Sequence, residues 1–478
     1  MSKTKLSAAI EASRGLTKQL LDILLKKYPY ASILSTHSDG KRLTVDFNGS
    51  SVSDAMFGER GFVARVYNGV NYTEYSFNEL TEQTLTLIVE NIEHAAESDV
   101  KALKAAGVEF NGYPLIPEEP WTASFFSEAE ILPETLSVSD KLAKMQDMVS
   151  EAKAYCDQLV NVRVVYEELQ VSKAFISGGR DLAQAYTIAT ANMLAVAGRD
   201  GHIKYEYGGV SGQMGVEALD KLRSKTRSII DNAVELLSAE KIKPGVYDVV
   251  CDPHVTGLIA HEAFGHGVET DMFVKNRAKG AEFLGQYVAS PVTNMKDGAK
   301  SATEVASYLF DDEGTPGSDT DVIKYGVLMS GISDLLSATK LGIKPTGNGR
   351  RESFERKAYA RMTNTFFTPG KDKLEDMIAS IEYGYLLENY YSGMEDPKNW
   401  GIQCVIARGR EIKDGKLTGK VVSPVMMTGY VPDVLKSITM VSDGDIGLSG
   451  SGYCGKGHKE YIKTSIGGTY IKLRGRLG

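Results

Sequence analysis

The sequence predicts an α+β protein with a strand-rich α/β N-terminal domain, residues 1–240, and a mostly β C-terminal domain, residues 241–478. Its 478 residues exceed what one ordinary hydrophobic core accommodates. The first half alternates amphipathic helices with short strands, and the second half is rich in strands punctuated by glycine. The composition, 42% hydrophobic and 24% charged, is typical of a globular protein.

The N-terminal elements follow from periodicity and turn residues. Apolar residues recur at helical spacing in the first segment, for example at Leu16, Leu20 and Leu24. Asn68-Gly69 is a typical hairpin turn between strands. Helices are predicted over 7–27, 80–97, 136–157 and 216–239, strands over 32–35, 43–47, 62–67, 70–75 and 246–251, one or two strands over 159–176, and a proline-rich loop over 114–120.

Charge and cysteine usage exclude several classes of protein. The net charge is −8 and the pI about 5.6, which disfavours direct binding of nucleic acid. No window approaches 18 apolar residues, so we expect no membrane span and no membrane partner. The four cysteines form no C-x-x-C pair, and the first residues lack the apolar core of a signal peptide. We therefore expect a cytoplasmic protein.

A candidate metal site is present near the start of the second half. His261 and His266 flank Glu262 in the segment His261-Glu262-Ala263-Phe264-Gly265-His266. Imidazole is a usual ligand of zinc, and a carboxylate beside the metal can take a proton from bound water. The alternative is that these are two unrelated histidines near the start of a helix.

The spacing of the two histidines is unusual. Zinc helices commonly place two histidines four residues apart, whereas His261 and His266 are five apart. In a regular α-helix that spacing separates the side chains by about 140° around the axis. A π-bulge would align them, and glycines on both sides of His266 would ease the distortion. We therefore predict a widened or kinked turn at 264–266.

A third ligand must come from elsewhere in the chain. Cys454 lies in a glycine-rich loop that could bring a thiolate to the metal. A lone cysteine is often only a small buried hydrophobe, which suits Cys251 and Cys404 in their apolar runs better than Cys454. The candidates that remain open are Cys454, Glu269, Asp271, His254 and His458.

These segments resemble the TldD/PmbA family of metallopeptidases. The stretch 261–271, HEAFGHGVETD, resembles the catalytic segment of that family. Four further blocks in the second half resemble family blocks in the same order, and the resemblance covers most of the chain. They are the acidic turn 311–317, the segment 346–352, the segment 361–365 and the cysteine motif Cys454-Gly455-Lys456.

The resemblance implies a function and a set of site residues. It implies zinc held by His261, His266 and Cys454, with Glu262 as the general base, as in the catalytic TldD-type subunit. It also implies a homodimer, or a heterodimer with a PmbA-type (TldE-type) subunit. The implied substrates are unfolded or short extended peptides, including precursors of ribosomally made peptides and labile proteins. The basic run 457–461 departs from the family pattern and leaves the substrate preference open.

Four other residues are candidates for substrate binding. Arg350 and Arg361 could hold a peptide carboxylate or carbonyl through the guanidinium group, or could be paired structural arginines. Asn364 could contact the substrate or cap a turn. Tyr453 could donate a hydrogen bond to an oxyanion or pack in the core.

The acidic run 311–313 has two interpretations. Clustered carboxylates suit a calcium or magnesium ion. A solvated acidic turn before Gly314 and Pro316 fits the turn chemistry better, and we predict that turn.

Three functions are compatible with the sequence, and we favour the first, a zinc peptidase of the HExxxH type. The alternative is a non-catalytic binding or maturation partner whose zinc is structural and closed by four protein ligands. Modulation of DNA gyrase, an association of the family, has no physical support in this acidic composition as direct DNA binding.

Overall fold

The structure is a computed structural model that describes residues 1–105, 112–457 and 460–478. His458, one of the candidate ligands, lies outside the described residues. The N-terminal elements are β1 (Ser2–Lys3), α1 (Ala8–Leu25), β2 (Ala31–Asp46), β3 (Gly49–Asp54), β4 (Glu59–Tyr67), β5 (Tyr72–Phe77), α2 (Leu85–Ala105), β6 (Trp121–Phe126), β7 (Glu128–Ala129), α3 (Val138–Tyr155), β8 (Leu159–Ser177), β9 (Arg180–Arg199), β10 (His202–Gly212), α4 (Glu217–Arg223) and α5 (Thr226–Glu235).

A large sheet organises the N-terminal half. Its strand order is β10-β9-β8-β2-β4-β5, with β3 on β2 and β6 parallel to β9. The helices α1 and α2 bury Leu20, Leu24 and Ile92 against β2 and β4. The helices α3, α4 and α5 cover β8 and β9 through a second apolar cluster. Strand β10 is the last strand in this order, and its carbonyls at Tyr205 and Tyr207 accept hydrogen bonds from Tyr391 and Asn389 of the C-terminal half.

The C-terminal half contains a closed barrel and a second sheet. Its elements are β11 (Gly245–Cys251), α6 (Pro253–Ile259), α7 (Thr270–Val274), β12 (Met295–Asp297), β13 (Thr320–Lys324), β14 (Val327–Leu328), α8 (Leu335–Leu341), β15 (Gly349–Arg350), β16 (Tyr359–Ala360), β17 (Asn364–Phe367), α9 (Leu374–Ala379), β18 (Tyr383–Asp396), β19 (Gly401–Lys413), β20 (Lys416–Val422), β21 (Val425–Tyr430), α10 (Val431–Lys436), β22 (Met440–Val441), β23 (Gly447–Ser449), β24 (Tyr453–Lys456), β25 (Glu460–Lys463), β26 (Ser465–Gly468) and β27 (Ile471–Leu477).

Hydrogen bonding runs around the barrel from β11 through β18, β19 and β21 to β27, and β27 pairs with β11 again. The second sheet has the order β14-β13-β12-β17-β26-β23. One apolar cluster joins the barrel, α6 and the second sheet, and it includes Leu258, Phe264, Phe367 and Ile406. The segment that carries the candidate motif therefore lies in the core between the two sheets.

The predicted fold class, mixed α and β with a strand-rich C-terminal half, is confirmed. Three predicted helices appear as α1, α2 and α3, and the predicted helix 216–239 is divided into α4, α5 and a 3₁₀ turn, Leu236–Ser238. The strands predicted over 32–35 and 43–47 are parts of one long strand, β2. Within the described residues, no helix is long and apolar enough to span a membrane.

The acidic turn at 311–313 is buried, so the prediction of a solvated turn is wrong. Asp311, Asp312 and Glu313 are each at most 6% exposed. Lys173 of β8 pairs with Asp312, and Arg65 of β4 donates to Glu313 at 2.6 Å. The turn therefore joins the N-terminal sheet to the C-terminal half through buried ion pairs.

Candidate metal centre

The helix that leads into the motif begins at a strong capping sequence. Asp252 accepts a hydrogen bond from the backbone N–H of Val255 at 2.8 Å, and Pro253 follows at the first helical position. A capping carboxylate satisfies a free N–H group, and proline is preorganised for this position. The start of α6 is thereby fixed directly after the barrel strand β11.

The widened turn predicted from the five-residue spacing is present. Helix α6 continues into a π-helical segment, Ala260–Gly265, and then into a 3₁₀ turn, His266–Val268. A π-helix brings residues i and i+5 into line, which suits histidines five apart. The rings of His261 and His266 lie 5.0 Å apart between centroids.

Gly265 and Gly267, on either side of His266, are needed for close packing and not for an unusual backbone conformation. Gly265 has φ −59°, which any residue adopts, so it does not relieve backbone strain. A Cβ at Gly265 would lie 2.0 Å from the Met362 sulfur, and a Cβ at Gly267 would lie 2.7 Å from Glu395 Oε1. The glycines are required because neighbouring side chains pack against the backbone of the segment.

Three donor side chains converge on one point. The ligand atoms of His261, His266 and Cys454 all lie within 4.8 Å of one another, and within the described ranges they form the group of His, Cys, Asp or Glu residues able to share an ion. The distance from Cys454 Sγ to His266 Nε2 is 3.6 Å. Cys454 arrives on β24, which pairs with β25 in a separate two-stranded ribbon.

The other candidate ligands are placed elsewhere. Glu269 contacts the far side of the His266 ring, with Oε2 3.3 Å from Nδ1. Asp271 is paired with Lys456 and Lys275. His254 is exposed and lines a cavity between β10 and β18.

The charges at the site favour a thiolate. Burial opposes ionisation of Cys454, but the neighbouring His266 and His261 lower its thiol pKa well below the ordinary value. Burial also opposes a charged imidazole, yet Cys454 and Glu269 raise the pKa of His266 well above its ordinary value. Both pKa shifts favour a thiolate beside a protonated imidazole, and a metal ion bound by these donors would replace the proton.

The donor set fits a zinc ion. Two imidazoles and a thiolate are preferred zinc ligands. His261 Nδ1 is buried and has no hydrogen-bond partner among the described residues. A buried polar atom without a partner is costly unless a ligand completes its bonding.

Glu262 faces the barrel rather than the solvent-side loops. A Cβ at Gly393 of β18 would lie 2.6 Å from Glu262 Cγ, so this glycine makes room for the carboxylate side chain. Glu262 is partly buried. Gly393 carried no signal in the sequence, because its role depends on a contact between residues 131 positions apart.

Arg361 and Asn364, two of the candidates for substrate binding, lie in the interior of the protein. Both side chains are at most 1% exposed. Arg361 donates to the carbonyl of Cys454 at 2.6 Å, and Asn364 donates to Gly298 O and Ser307 Oγ. These hydrogen bonds connect neighbouring elements, so both side chains have a positioning role.

Arg350 and Tyr453 are partly buried and also paired within the protein. Arg350 donates to the carbonyls of Met362 and Lys463, each at 2.7 Å. The Tyr453 hydroxyl donates to Glu167 of β8 at 2.7 Å. Both contacts brace the ribbon that carries Cys454, and neither directs a free donor towards the three ligands.

Comparisons with known proteins show which family the chain resembles. Residues 244–472 match the PmbA/TldA metallopeptidase C-terminal domain, and residues 131–239 match the central domain of the same family. A metalloprotease of Methanothermobacter thermautotrophicus is 30% identical over 341 residues, which cover 70% of this chain and 74% of that protein. A metalloprotease TldD homologue of Buchnera aphidicola is 35% identical over 240 residues, covering 50% of this chain and 49% of that protein. A zinc metalloprotease TldD homologue of Saccharolobus solfataricus is 28% identical over 319 residues, covering 65% and 69%.

Solved structures share the fold over nearly the whole chain. A protein of Bacteroides thetaiotaomicron described as a modulator of DNA gyrase superposes with a TM-score of 0.75 at 16% identity, covering 98% of each chain. TldE of Thermococcus kodakarensis superposes with a TM-score of 0.72 at 17% identity, covering 97% of this chain and 99% of that one.

Proposed function

Because the chain belongs to the PmbA/TldD family of metallopeptidases, we propose that it is a zinc-dependent peptidase of the HExxxH type. His261, His266 and Cys454 hold the zinc ion, and Glu262 is the general base. The convergence of these three donor atoms within 4.8 Å carries the proposal. Three protein ligands leave a position open, which is the arrangement of a catalytic site.

The roles of the chain's own residues follow from this geometry. When bound, zinc supplies Lewis-acid chemistry to a water molecule and to the scissile carbonyl. Glu262 would act as the general base that accepts a proton from the attacking water as the new C–O bond forms. Glu262 then returns the proton to the amine nitrogen as the C–N bond breaks.

The surroundings of the site suit an unfolded or short extended peptide. A cavity of about 490 Å³ lies between β10 and β18, and it is lined by Gly209, Tyr390 and Ser451 among other residues. Ser451 belongs to the loop that leads to Cys454, and Gly209 lies on β10. A peptide held in this cavity in extended form would bind mainly through its backbone, which favours broad specificity for unstructured chains.

Assembly and location belong to the same proposal. The likeness to TldE supports a homodimer or a heterodimer with a PmbA/TldE-type subunit. Cys454 is a free cysteine, and a thiolate ligand is best preserved in a reducing compartment such as the cytoplasm. Substrates in this compartment would be precursors of ribosomally made peptides or labile proteins.

The test is Glu262→Gln, which keeps the size of the side chain and removes the base. We expect zinc content to be unchanged and the rate of peptide cleavage to fall by roughly 100-fold or more, because a positioned base contributes that much. Glu282→Gln, at an exposed carboxylate of the same domain, is the matched control and should keep full activity. Full activity in Glu262→Gln would exclude Glu262 as the base, and a fourth protein ligand would favour a non-catalytic partner with structural zinc.

A further inference from the structure

The three proposed ligands come from parts of the chain that are far apart. His266 and Cys454 are separated by 188 positions, and Cys454 lies on a ribbon outside the two larger sheets. A three-ligand site binds metal tightly only when its ligands are already held in place. A contact between the ribbon and the π-helical segment is therefore needed.

Lys456 makes that contact. It lies two residues after Cys454 on β24, and its Nζ is 3.0 Å from Glu269 Oε2. The same carboxylate oxygen is 3.3 Å from His266 Nδ1. One oxygen of Glu269 thus joins the strand of the third ligand to the ring of the second.

The ammonium group of Lys456 has several partners, and the side chain is largely buried. Besides Glu269, its Nζ donates to Asp271 Oδ1 at 2.6 Å and to the carbonyl of Ala360 at 2.8 Å. An ammonium group has three donors, so these acceptors exhaust them. Its side chain is 11% exposed and that of Glu269 is 2% exposed, and a buried ion pair is sensitive to loss of either partner.

The contact also selects the orientation of His266. A carboxylate oxygen can only accept a hydrogen bond, so Nδ1 of His266 carries the proton and donates to Glu269. Nε2 is then the ring atom that faces Cys454 Sγ, at 3.6 Å. A carboxylate behind a ligating histidine fixes its tautomer and raises its basicity.

We propose that Lys456 and Glu269 form a positioning pair that holds Cys454 and His266 in register for metal binding. The proposal rests on the zinc site of the proposed function, and it concerns metal affinity rather than the chemistry of cleavage. The sequence offered Glu269 only as a possible ligand and Lys456 only as part of a family block.

The test measures zinc alone, without peptide, by competition with a chelator. We expect Lys456→Met and Glu269→Gln each to weaken zinc binding by roughly 10- to 100-fold, because loss of a partner behind a ligand has that effect. Lys456→Arg, which keeps the charge, should recover most of the affinity. Lys275→Met is the matched control, because Lys275 pairs with the same Asp271 at 3.1 Å but is not a partner of Glu269, and it should bind zinc normally.

Two further measurements distinguish misplacement of the zinc ligands from a failure of the variant to fold. The double variant Lys456→Met/Glu269→Gln should lose little more affinity than either single variant, because both substitutions break one pair. The absorption spectrum of the cobalt-substituted protein should change in Lys456→Met and not in Lys275→Met, while thermal unfolding identifies any variant that fails to fold.

Zinc affinity of folded Lys456→Met within about twofold of wild type, against the roughly tenfold minimum expected for a lost partner, would overturn the proposal. Equal losses in Lys456→Met and Lys275→Met would do the same. A wild-type protein that binds zinc but cleaves no peptide refutes the peptidase function alone, since the positioning pair is judged on zinc affinity.

Discussion

Two buried clusters of charge in this molecule are built in opposite ways. At the acidic turn, Asp311 accepts backbone N–H groups from Glu313, Thr315 and Gly349, and the carboxylate of Glu313 accepts from Arg65 and from the N–H of Leu335. At the candidate metal centre, His261 Nδ1, Glu269 Oε1 and Arg361 Nε are buried without partners among the described residues.

This difference between the two clusters indicates that one has a structural role and the other a functional role. The three carboxylates of the acidic turn have partners within the protein, so their charges stabilise the contact between the two halves. At the metal centre the ligand atoms of the three residues lie within 4.8 Å of one another, an arrangement that a bound ion would complete. A ligand site is therefore indicated by buried polar atoms that lie close together without protein partners, and not by the number of charges.

The largest expected effect is from Cys454→Ser at the incomplete cluster. Removing a direct ligand should weaken zinc binding by more than about 100-fold, the upper end for losing a partner behind a ligand. Peptide cleavage should be lost with the metal. Zinc content and chelator competition measure this, and unchanged affinity would exclude Cys454 as a ligand.

At the satisfied cluster, Arg65→Met should act on stability and not on the metal. Arg65 is 5% exposed and pairs with Glu74 and Glu313. Glu74 would keep its pair with Arg351, but the buried carboxylate of Glu313 would lose its counter-charge. We expect a destabilisation of about 3–5 kcal/mol in urea unfolding with normal zinc affinity. Lys41→Met, at the exposed pair with Asp54, is the control and should change the stability little. Equal effects of the two variants would contradict the structural role of the turn.

Gly393→Ala tests the position of the proposed base, Glu262, separately from zinc binding. The added Cβ would lie 2.6 Å from Glu262 Cγ and displace the base without touching a ligand. Misplacement by about 1 Å costs up to roughly 100-fold in rate, so we expect kcat to fall by about 10- to 100-fold. Zinc content should stay normal, and a normal kcat would show that Glu262 tolerates movement or is not the base.

The smallest effect is a pH dependence at the N-terminus of α8. Burial and the nearby Glu313 raise the pKa of Asp334 to about 6. A carboxyl whose folded pKa is raised contributes stability below its unfolded pKa and loses it as pH rises through about 6. Asp334→Asn keeps a capping oxygen for Ser337, so its stability relative to wild type should rise by about 1–2 kcal/mol between pH 4 and pH 7. A difference between the two proteins that does not vary with pH would contradict the raised pKa.

Local patterns in the sequence predicted the local features of the fold. Helical periodicity located α1 and α3, and the five-residue spacing of His261 and His266 predicted the π-helical segment. Features that depend on contacts between residues far apart in the sequence could not be predicted from it. The fit of Gly265 against Met362, the burial of Arg361, and the partners of Asp312 arise only when remote strands meet. The acidic run was misinterpreted because its balancing cations, Lys173 and Arg65, belong to the other half of the chain.

The closure of the barrel by β27 has a consequence for synthesis on the ribosome. A nascent chain that has emerged only to residue 440 lacks Cys454 and the strand that joins β11 to β21. Such a chain has two histidines but neither the third donor nor a closed barrel around them. The proposed metal site is therefore complete only after the C-terminal strands have been synthesised.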